Sequence, residues 1–205
     1  MSTRLGCEAI EVLRRIAAPM RGGSPGYGVY HVVRALEDLS STPRGRPGLA
    51  RDLGLGEAPV KTLIRRLRRH GLASGGQRGN RLTRLGLELL STIRSLVRVS
   101  GPVRGVGWGD CVVIHSPAVN PPVDIVSVYR IRDHLVEHGC RDAIIGGVRS
   151  GVLELPGVPE DLAREIRARV PSTGEGLVVI VPVECLERGF EAVLDVIYSR
   201  CKPPG

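Results

Sequence analysis

Arginines are concentrated in one predicted helix of this chain, and their spacing places them on one side of that helix. Within residues 58–70, Val60, Leu63, Ile64 and Leu67 recur at the helical spacing i, i+3, i+4 and i+7. An apolar stripe of this kind packs against neighbouring helices, which leaves the opposite face to the solvent. That face carries Lys61, Thr62, Arg65, Arg66, Arg68 and Arg69. A cationic rod about 20 Å long fits the major groove of B-DNA, so the predicted chemistry is contact with a polyanion.

A second pattern resembles a zinc site. His134, Glu137 and His138 spell H-x-x-E-H, in which two histidines one helical turn apart could hold a metal ion and the glutamate could activate water. A peptidase of that kind also needs a further carboxylate ligand and a larger scaffold than the roughly 100 residues of this half of the chain. We therefore favour a solvated helix end, keep an adventitious metal site as the alternative, and expect no metal and no cofactor.

Other residues give weaker signals of a binding or catalytic site. A phosphate or a nucleotide could be approached by Gly146–Gly147, residues 149–151 and the loop 116–122. A Gly-Gly pair inside a strand more often marks a bulge, and Ser150–Gly151 is a standard hairpin turn, so we favour these interpretations over a ligand site. Strand alternation places Asp110 on the face opposite Cys111 and His115, so we expect Cys111 in the core and not as a nucleophile. No paired carboxylates or nucleophile–base arrangement are found, and we expect no catalytic residues and no enzyme activity.

Charge is divided unevenly along the chain. Residues 1–104 hold 19 Lys and Arg against 7 Asp and Glu, a net +12, whereas residues 105–205 hold 10 against 14, a net −4. The first half is therefore suited to a polyanionic partner and the second is not. We expect a domain boundary at Gly101–Pro102, with a basic domain at 1–104 and an α/β domain at 105–205.

The elements around helix 58–70 have a recognisable order. Tyr27–Leu39 reads as a helix, Gly48–Leu53 as a short helix and Gly54–Gly56 as a turn, and helix 58–70 is followed by a glycine-rich hairpin over 72–83. A leucine-rich helix comes next. Arg46, Arg78 and Arg81 join the helix 58–70 cations as candidate DNA-binding residues, because the glycines let the backbone come close to phosphates.

Residues 28–98 resemble the winged helix-turn-helix domains of bacterial and archaeal transcriptional regulators, above all in the segments GLARDLGLGEAPVKTLIRRLRRHGLAS and GNRLTRLGLELL. The whole chain is more loosely similar to an archaeal family of two-domain proteins, a winged helix followed by an α/β domain, with no established activity. The resemblance implies a fold and leaves the function open.

Strands and helices alternate in the acidic half. Strands at 110–116, 143–148, 152–155 and 177–183, with helices at 123–138, 160–169 and 186–200, give the order βαββαβ and a final helix. This order predicts a ferredoxin-like domain, so the fold class is α+β overall. Such domains in regulators mediate assembly or sense an effector, and an unidentified small-molecule effector is left open.

Together these features favour a DNA-binding transcriptional regulator. A module that binds protein or RNA through the same surface is the alternative, and a metal- or nucleotide-dependent enzyme in the acidic half comes after it. Helices at 8–20 and 84–99 are predicted to form a homodimer interface, with simple coverage of the core as the other interpretation. Charges in the N-terminal segment exclude a signal peptide, and no apolar window is long enough for a membrane span, so we expect a cytoplasmic protein.

Overall fold

The computed structural model describes residues 3–19, 23–104, 109–122, 124–170 and 173–201. The chain forms two compact units, Met1–Arg94 and Ser95–Gly205. Their division lies ten residues before the predicted boundary at Arg104. The reason is that Gly101–Pro102, expected to be a linker, belongs to a strand of the second unit.

Helices build the described part of the first unit. They are α1 (Thr3–Ala17), α2 (Val29–Ser41), α3 (Arg46–Leu53), α4 (Glu57–Arg69) and α5 (Arg84–Leu96). Each helix turns apolar residues inward, and Ile10, Leu13, Leu36, Leu49 and Leu63 are fully buried. The N-terminal helix begins five residues earlier than predicted and ends at Ala17, and Met20 lies outside the described residues.

A hairpin follows α4 directly. Its strands, β1 (Ala73–Gly76) and β2 (Gly79–Leu82), pair antiparallel from Ala73↔Leu82 to Gly76↔Gly79. Arg44, just before α3, adds one antiparallel bridge to Asn80 on β2. The hairpin is therefore attached both to the end of α4 and to the start of α3.

The second unit is built on one antiparallel sheet of five strands. The strands are β3 (Arg98–Val103), β4 (Cys111–Ser116), β5 (Ile144–Arg149), β6 (Val152–Glu154) and β7 (Gly176–Pro182), in the spatial order β3-β4-β7-β5-β6. Every residue of β4 and of β7 is buried. Strands with no exposed face need cover on both sides of the sheet.

Helices supply that cover. Ala163 and Ile166 of α7 (Glu160–Arg169) pack on Cys111, Val113 and Ile180. On the other face, α8 (Leu186–Ser199) comes so close that a Cβ at Gly189 would lie 3.0 Å from Ile114 Cδ1. Helix α6 (Ile125–Glu137) packs beside α8. The sheet is thus the middle of three layers.

The βαββαβ order of elements is present, but the ferredoxin-like arrangement is not confirmed. In a ferredoxin-like sheet the first and third strands of the motif are the central pair. Here the second and fourth, β5 and β7, are central, and β4 and β6 flank them. β4 and β5 are both antiparallel to β7 and are therefore parallel to each other, with β7 inserted between them.

Strand β3 is an element that the sequence analysis missed. Residues 98 and 99 were assigned to the end of the preceding helix, which stops at Leu96. The pairing with β4 shifts register between Ser100 and Val103, where Gly101 and Pro102 lie. Proline is tolerated at such a bulge in an edge strand, because no neighbouring strand needs its missing N–H.

Within the part of the chain that the structure describes, no helix combines the length and apolarity that a membrane span requires.

Candidate nucleic-acid interface

A tight turn fixes the angle between α3 and α4. Gly54 ends α3 in the left-handed region at φ 65°, and its N–H bonds to the carbonyls of Ala50 and Arg51. Glycine adopts this conformation without steric cost, and the turn satisfies carbonyls that the end of the helix would leave unpaired. Helix α4 then begins at Glu57 after the N-cap residue Gly56. A short helix, a glycine turn and a longer helix are therefore present where the sequence predicted them.

Most of the predicted cations are in fact exposed on α4. Lys61, Arg65, Arg68 and Arg69 face solvent, and Thr62 is half-buried beside them. The stripe of Val60, Leu63, Ile64 and Leu67 is buried, as the spacing predicted. Lys61, Arg65 and Arg69 form no ion pair with any described carboxylate, so their charges remain available to a partner.

Arg66 was predicted to belong to the binding surface, and the structure corrects this assignment. Only 6% of it is exposed, and its guanidinium donates to the backbone carbonyls of Ile16 and of Ala18, the latter at 2.7 Å. It also lies over the Tyr27 ring, 5.8 Å from the ring centre. Arg66 is therefore used to bond carbonyls at the end of α1, which the helix cannot satisfy internally.

Tyr27 completes this buried cluster. Its hydroxyl donates to the Ile16 carbonyl at 3.3 Å, and burial raises the pKa of the phenol, an effect that the nearby Arg66 partly opposes. The sequence analysis missed this role because position 66 lies at the margin of the apolar stripe, where periodicity alone does not separate exposed from buried residues.

Arg68 is exposed but has a partner within the unit. Its Nη2 donates to Asn80 Oδ1 on β2 at 2.7 Å, and Asn80 Nδ2 donates to the Arg44 carbonyl at 3.1 Å. Asn80 is 5% exposed, so these bonds satisfy the donor and acceptor of a side-chain amide that is buried away from water. The sequence analysis did not single out Asn80, and only its place in the hairpin beside Arg78 and Arg81 could have suggested it.

Side chains of three elements meet around one cavity. Its volume is about 460 Å³, and it is lined by Arg46 from α3, Lys61, Ile64, Arg65 and Arg68 from α4, and Asn80 from β2. We call it the basic cavity. It holds four cationic side chains and no carboxylate, so it favours an anionic group.

The hairpin adds two more cations. Arg78 is exposed at the turn between β1 and β2, and Arg81 is exposed on β2 with its neighbours Asn80 and Leu82 turned inward. Arg46, Arg78 and Arg81 form no ion pair with the carboxylates that the structure describes. Apart from Arg66, all of the predicted binding residues lie on α3, α4 or the hairpin at partly or fully exposed positions.

The H-x-x-E-H pattern lies at the end of α6. His138 Nε2 lies 2.9 Å from Asp195 Oδ2 on α8, and His134 pairs with Glu137 at 3.7 Å. One of the two histidines is therefore used in the contact between α6 and α8. Among the described residues, no group of three or more His, Cys, Asp or Glu side chains could hold a metal ion.

Close backbone packing accounts for the glycines considered as a phosphate site. A Cβ at Gly146 would collide with the Glu154 carbonyl, and a Cβ at Gly147 would lie 2.7 Å from Pro121 Cα. Ser150 and Gly151 have positive φ in the turn between β5 and β6, as the hairpin interpretation predicted. Cys111 is fully buried and burial raises the pKa of its thiol, which confirms its place in the core.

The apolar faces assigned to a dimer are occupied within the chain. Ala9, Leu13 and Ile16 of α1 are buried, and α1 packs on α2 and α4. On α5 the leucines that remain exposed, Leu85 and Leu87, lie on either side of an Arg84–Glu88 ion pair. These helices thus cover the core, which was the other interpretation of their patterns.

No family model matches this sequence, and no curated protein matches it significantly. Among solved structures, the hypothetical protein PH0730 from Pyrococcus horikoshii OT3 is similar, with a TM-score of 0.59 at 24% identity. The match covers 84% of this chain and 92% of that protein. At this identity the likeness shows the fold alone.

Proposed function

We propose that the first unit is a winged helix that binds duplex DNA through α4 and the β1–β2 hairpin, and that the protein is a transcriptional regulator. The basic cavity carries this proposal, because four cations from α3 and α4 converge there without a neutralising carboxylate. Neutralising phosphates releases counterions, so a surface of this kind gains affinity for duplex DNA. Exposed cations on one side of a helix about 20 Å long fit the major groove.

Each part of the surface has a role in this proposal. Thr62 and Arg69 on α4 face the bases, where a bidentate arginine distinguishes guanine. The phosphate contacts, which orient the protein without reading sequence, come from Arg46, Lys61, Arg65 and the hairpin residues Arg78 and Arg81. Arg66 has no part in the interface, because its guanidinium is buried.

The central experiment measures the salt dependence of duplex binding. A target is selected from random duplexes, and the dissociation constant is followed by fluorescence anisotropy from about 50 to 300 mM salt. We expect log K to fall linearly with log salt, with a slope of about −0.9 for each phosphate neutralised. The triple substitution Lys61→Ala, Arg65→Ala, Arg69→Ala should reduce the slope by about 2 for each bound copy of the chain, because Lys61 and Arg65 contact phosphates.

A matched control removes the same charge elsewhere. Arg130, Arg132 and Arg141 are exposed in the second unit, and replacing all three with Ala should leave the slope unchanged. A slope near zero for the wild type, or equal effects of the two triple variants, would refute the proposal. Tighter binding to duplex RNA, or to a protein, at the same surface would favour the alternative of an RNA- or protein-interaction module.

The proposal includes a homodimer and an assembly or effector role for the second unit. A two-fold operator requires two copies of the reading helix. Since the apolar face of α1 packs on α2 and α4, we place the two-fold contact in residues 95–205. A cavity of about 420 Å³ beside the β5–β6 turn, lined in part by Leu153, Arg167 and Val170, is within the size range of small-ligand sites.

A further inference from the structure

Asn80 joins three segments around the basic cavity. Its backbone exchanges two hydrogen bonds with Arg44, each 2.8 Å long. Its side chain donates to the Arg44 carbonyl at 3.1 Å and accepts from Arg68 Nη2 at 2.7 Å. One side-chain amide therefore links β2 to Arg44, two residues before α3, and to the exposed face of α4.

Two glycines make these close approaches sterically possible. A Cβ at Gly79 would lie 2.6 Å from the carbonyl oxygen of Arg44, so the hairpin reaches this segment only without a side chain there. A Cβ at Gly75 on β1 would lie 2.7 Å from Cζ of Arg68 and closer still to Nη2. The guanidinium that bonds to Asn80 thus passes directly over Gly75.

The side chains that line the cavity are positioned by this linkage. Arg46 lies two residues after Arg44, and Lys61 and Arg65 lie on the same helix as Arg68. An anion bound by several cations requires them at a fixed mutual spacing, and misplacement of such groups by a fraction of an ångström loses affinity. Holding the hairpin and the Arg44 segment against α4 fixes that spacing.

We propose that Arg68 and Asn80 are positioning residues of the DNA interface, which hold the hairpin and residues 44–46 against α4 so that Arg46, Lys61 and Arg65 face the DNA phosphates. This inference rests on the proposed DNA-binding function. It assigns Arg68 a different task from the other exposed cations of α4, although all of them carry the same charge. Arg68 acts through Asn80 and reads no base.

The test displaces Arg68 without removing its charge. Gly75→Ala places a methyl group where the guanidinium lies, and Gly75 has no positive φ, so the backbone tolerates alanine. The control is Gly76→Ala in the same strand, where the nearest atom to a new Cβ is 3.9 Å away. Full-length variants are compared for duplex affinity, salt slope and melting temperature.

We expect Gly75→Ala to weaken duplex binding about tenfold, because the hairpin and residues 44–46 are no longer held against α4. The melting temperature should fall by only a few degrees, because the buried Asn80 amide loses its bond to Arg68 while the assay temperature stays well below unfolding. The slope should stay within about 0.3 of the wild type, since no phosphate-contacting charge is removed. Gly76→Ala should bind like the wild type. Equal affinities for the wild type and Gly75→Ala would overturn the inference, as would a loss in Gly75→Ala that a fall in melting temperature fully explains.

A second measurement needs no DNA and separates this inference from the proposed function. Amide hydrogen exchange of Arg44 and Asn80 reports how firmly the hairpin is held, because each N–H donates to the other residue's carbonyl. Both amides should exchange at least about fivefold faster in Gly75→Ala and in Arg68→Met, and at the wild-type rate in Gly76→Ala. If the wild type binds no duplex but these rates rise, the proposed function fails and the positioning role stands. Unchanged rates would refute the positioning role whether or not DNA binds.

Discussion

Adjacent arginines on one helix can serve opposite purposes. Arg65 extends into solvent from the exposed face of α4, whereas Arg66 is buried and bonds to two carbonyls at the end of α1. Two hydrogen bonds to carbonyls and the adjacent Tyr27 ring offset the desolvation of this charge. The pair shows that the sum of charges on a helix overstates the charge available to a partner.

Substitution of these two arginines should separate stability from binding. We expect Arg66→Ala to lower the free energy of unfolding by about 1 to 3 kcal/mol, because the Ala18 carbonyl loses its donor and the Ile16 carbonyl keeps only the Tyr27 hydroxyl. Arg65→Ala should change it by less than about 0.5 kcal/mol, as is usual for an exposed residue. Urea unfolding followed by circular dichroism measures both. Equal destabilisation by the two variants would contradict the assignment.

The buried cysteines of the second unit should be chemically inert in the native protein. Burial raises the pKa of the Cys111 thiol, and burial together with the neighbouring Cys185 raises the pKa of Cys140. Because the thiolate is the reactive form, we expect neither residue to be labelled by iodoacetamide at pH 8 until the protein is denatured. Peptide mass spectrometry before and after addition of guanidinium checks this. Native labelling at Cys111 would contradict its position between the sheet and α7.

At the scale of elements, helix ends are determined by individual residues. Asp124 caps α6 by accepting a hydrogen bond from the Ser127 N–H at 2.7 Å, and that bond holds the pKa of the carboxyl below its usual value. At the other end of α6, His138 contacts Asp195 of α8. These two contacts fix where α6 begins and which helix it meets.

The Asp124 cap should make the stability of the second unit depend on pH. A carboxyl whose pKa is lower in the folded state contributes stability above its unfolded pKa of about 3.9, and that contribution is lost as pH falls through the folded value. The melting temperature of Asp124→Ala should therefore be lower than that of the wild type at pH 7, and the difference in melting temperature should shrink below about pH 4. Asp124→Asn keeps a capping oxygen without the charge, so its deficit at pH 7 should be smaller than that of Asp124→Ala. Both deficits should change by the same amount between these pH values, because both variants lack the carboxyl that titrates. A pH-independent deficit in Asp124→Ala would contradict the role of the charge.

The hairpin offers a matched pair of substitutions at its tip. Arg78 is exposed at the turn and lies outside the basic cavity, so in our proposal it contacts phosphate alone. Arg78→Ala should weaken binding by a similar factor for every duplex tested and reduce the salt slope by about 0.9. Its uncharged neighbour provides the control, since Gln77→Ala should leave the slope unchanged. A change in the preferred sequence of Arg78→Ala would instead show that Arg78 reads bases.

At the scale of the whole molecule, charge and architecture divide at different residues. The basic segment extends to Arg104, but the compact unit ends at Arg94 because residues 98–103 pair with β4. A fragment that ends at Val97 keeps α5 whole and removes all of β3. Every proposed DNA contact lies between residues 46 and 81 and is retained.

This fragment should be monomeric, because the apolar face of α1 packs on α2 and α4. It should bind a single half-site with about half the salt slope of the dimeric full chain, since it contacts half as many phosphates. Light scattering after size exclusion gives the mass, and anisotropy gives the slope. If the fragment is a dimer, the two-fold contact lies in the first unit and not in residues 95–205. Stronger binding by the fragment than by the full chain would indicate that the second unit masks the interface.

Local patterns in the sequence determined most of the elements. The i, i+3, i+4 spacing predicted α4 within one residue at each end, and helix 160–169 was predicted with its observed bounds. Glycines with nearby turn residues predicted the β1–β2 and β5–β6 hairpins. These features depend on residues close in the chain, where periodicity and backbone preference act directly.

Features that depend on contacts between distant residues were decided only by the tertiary structure. It buried Arg66 against carbonyls 50 and 48 residues away, joined Arg68 to Asn80, and inserted β7 between β4 and β5. It also used the apolar face of α1 within its own unit. Hydrophobic periodicity shows which face of an element is buried but carries no information about the partner that buries it, and the same ambiguity applies to the order of strands in a sheet.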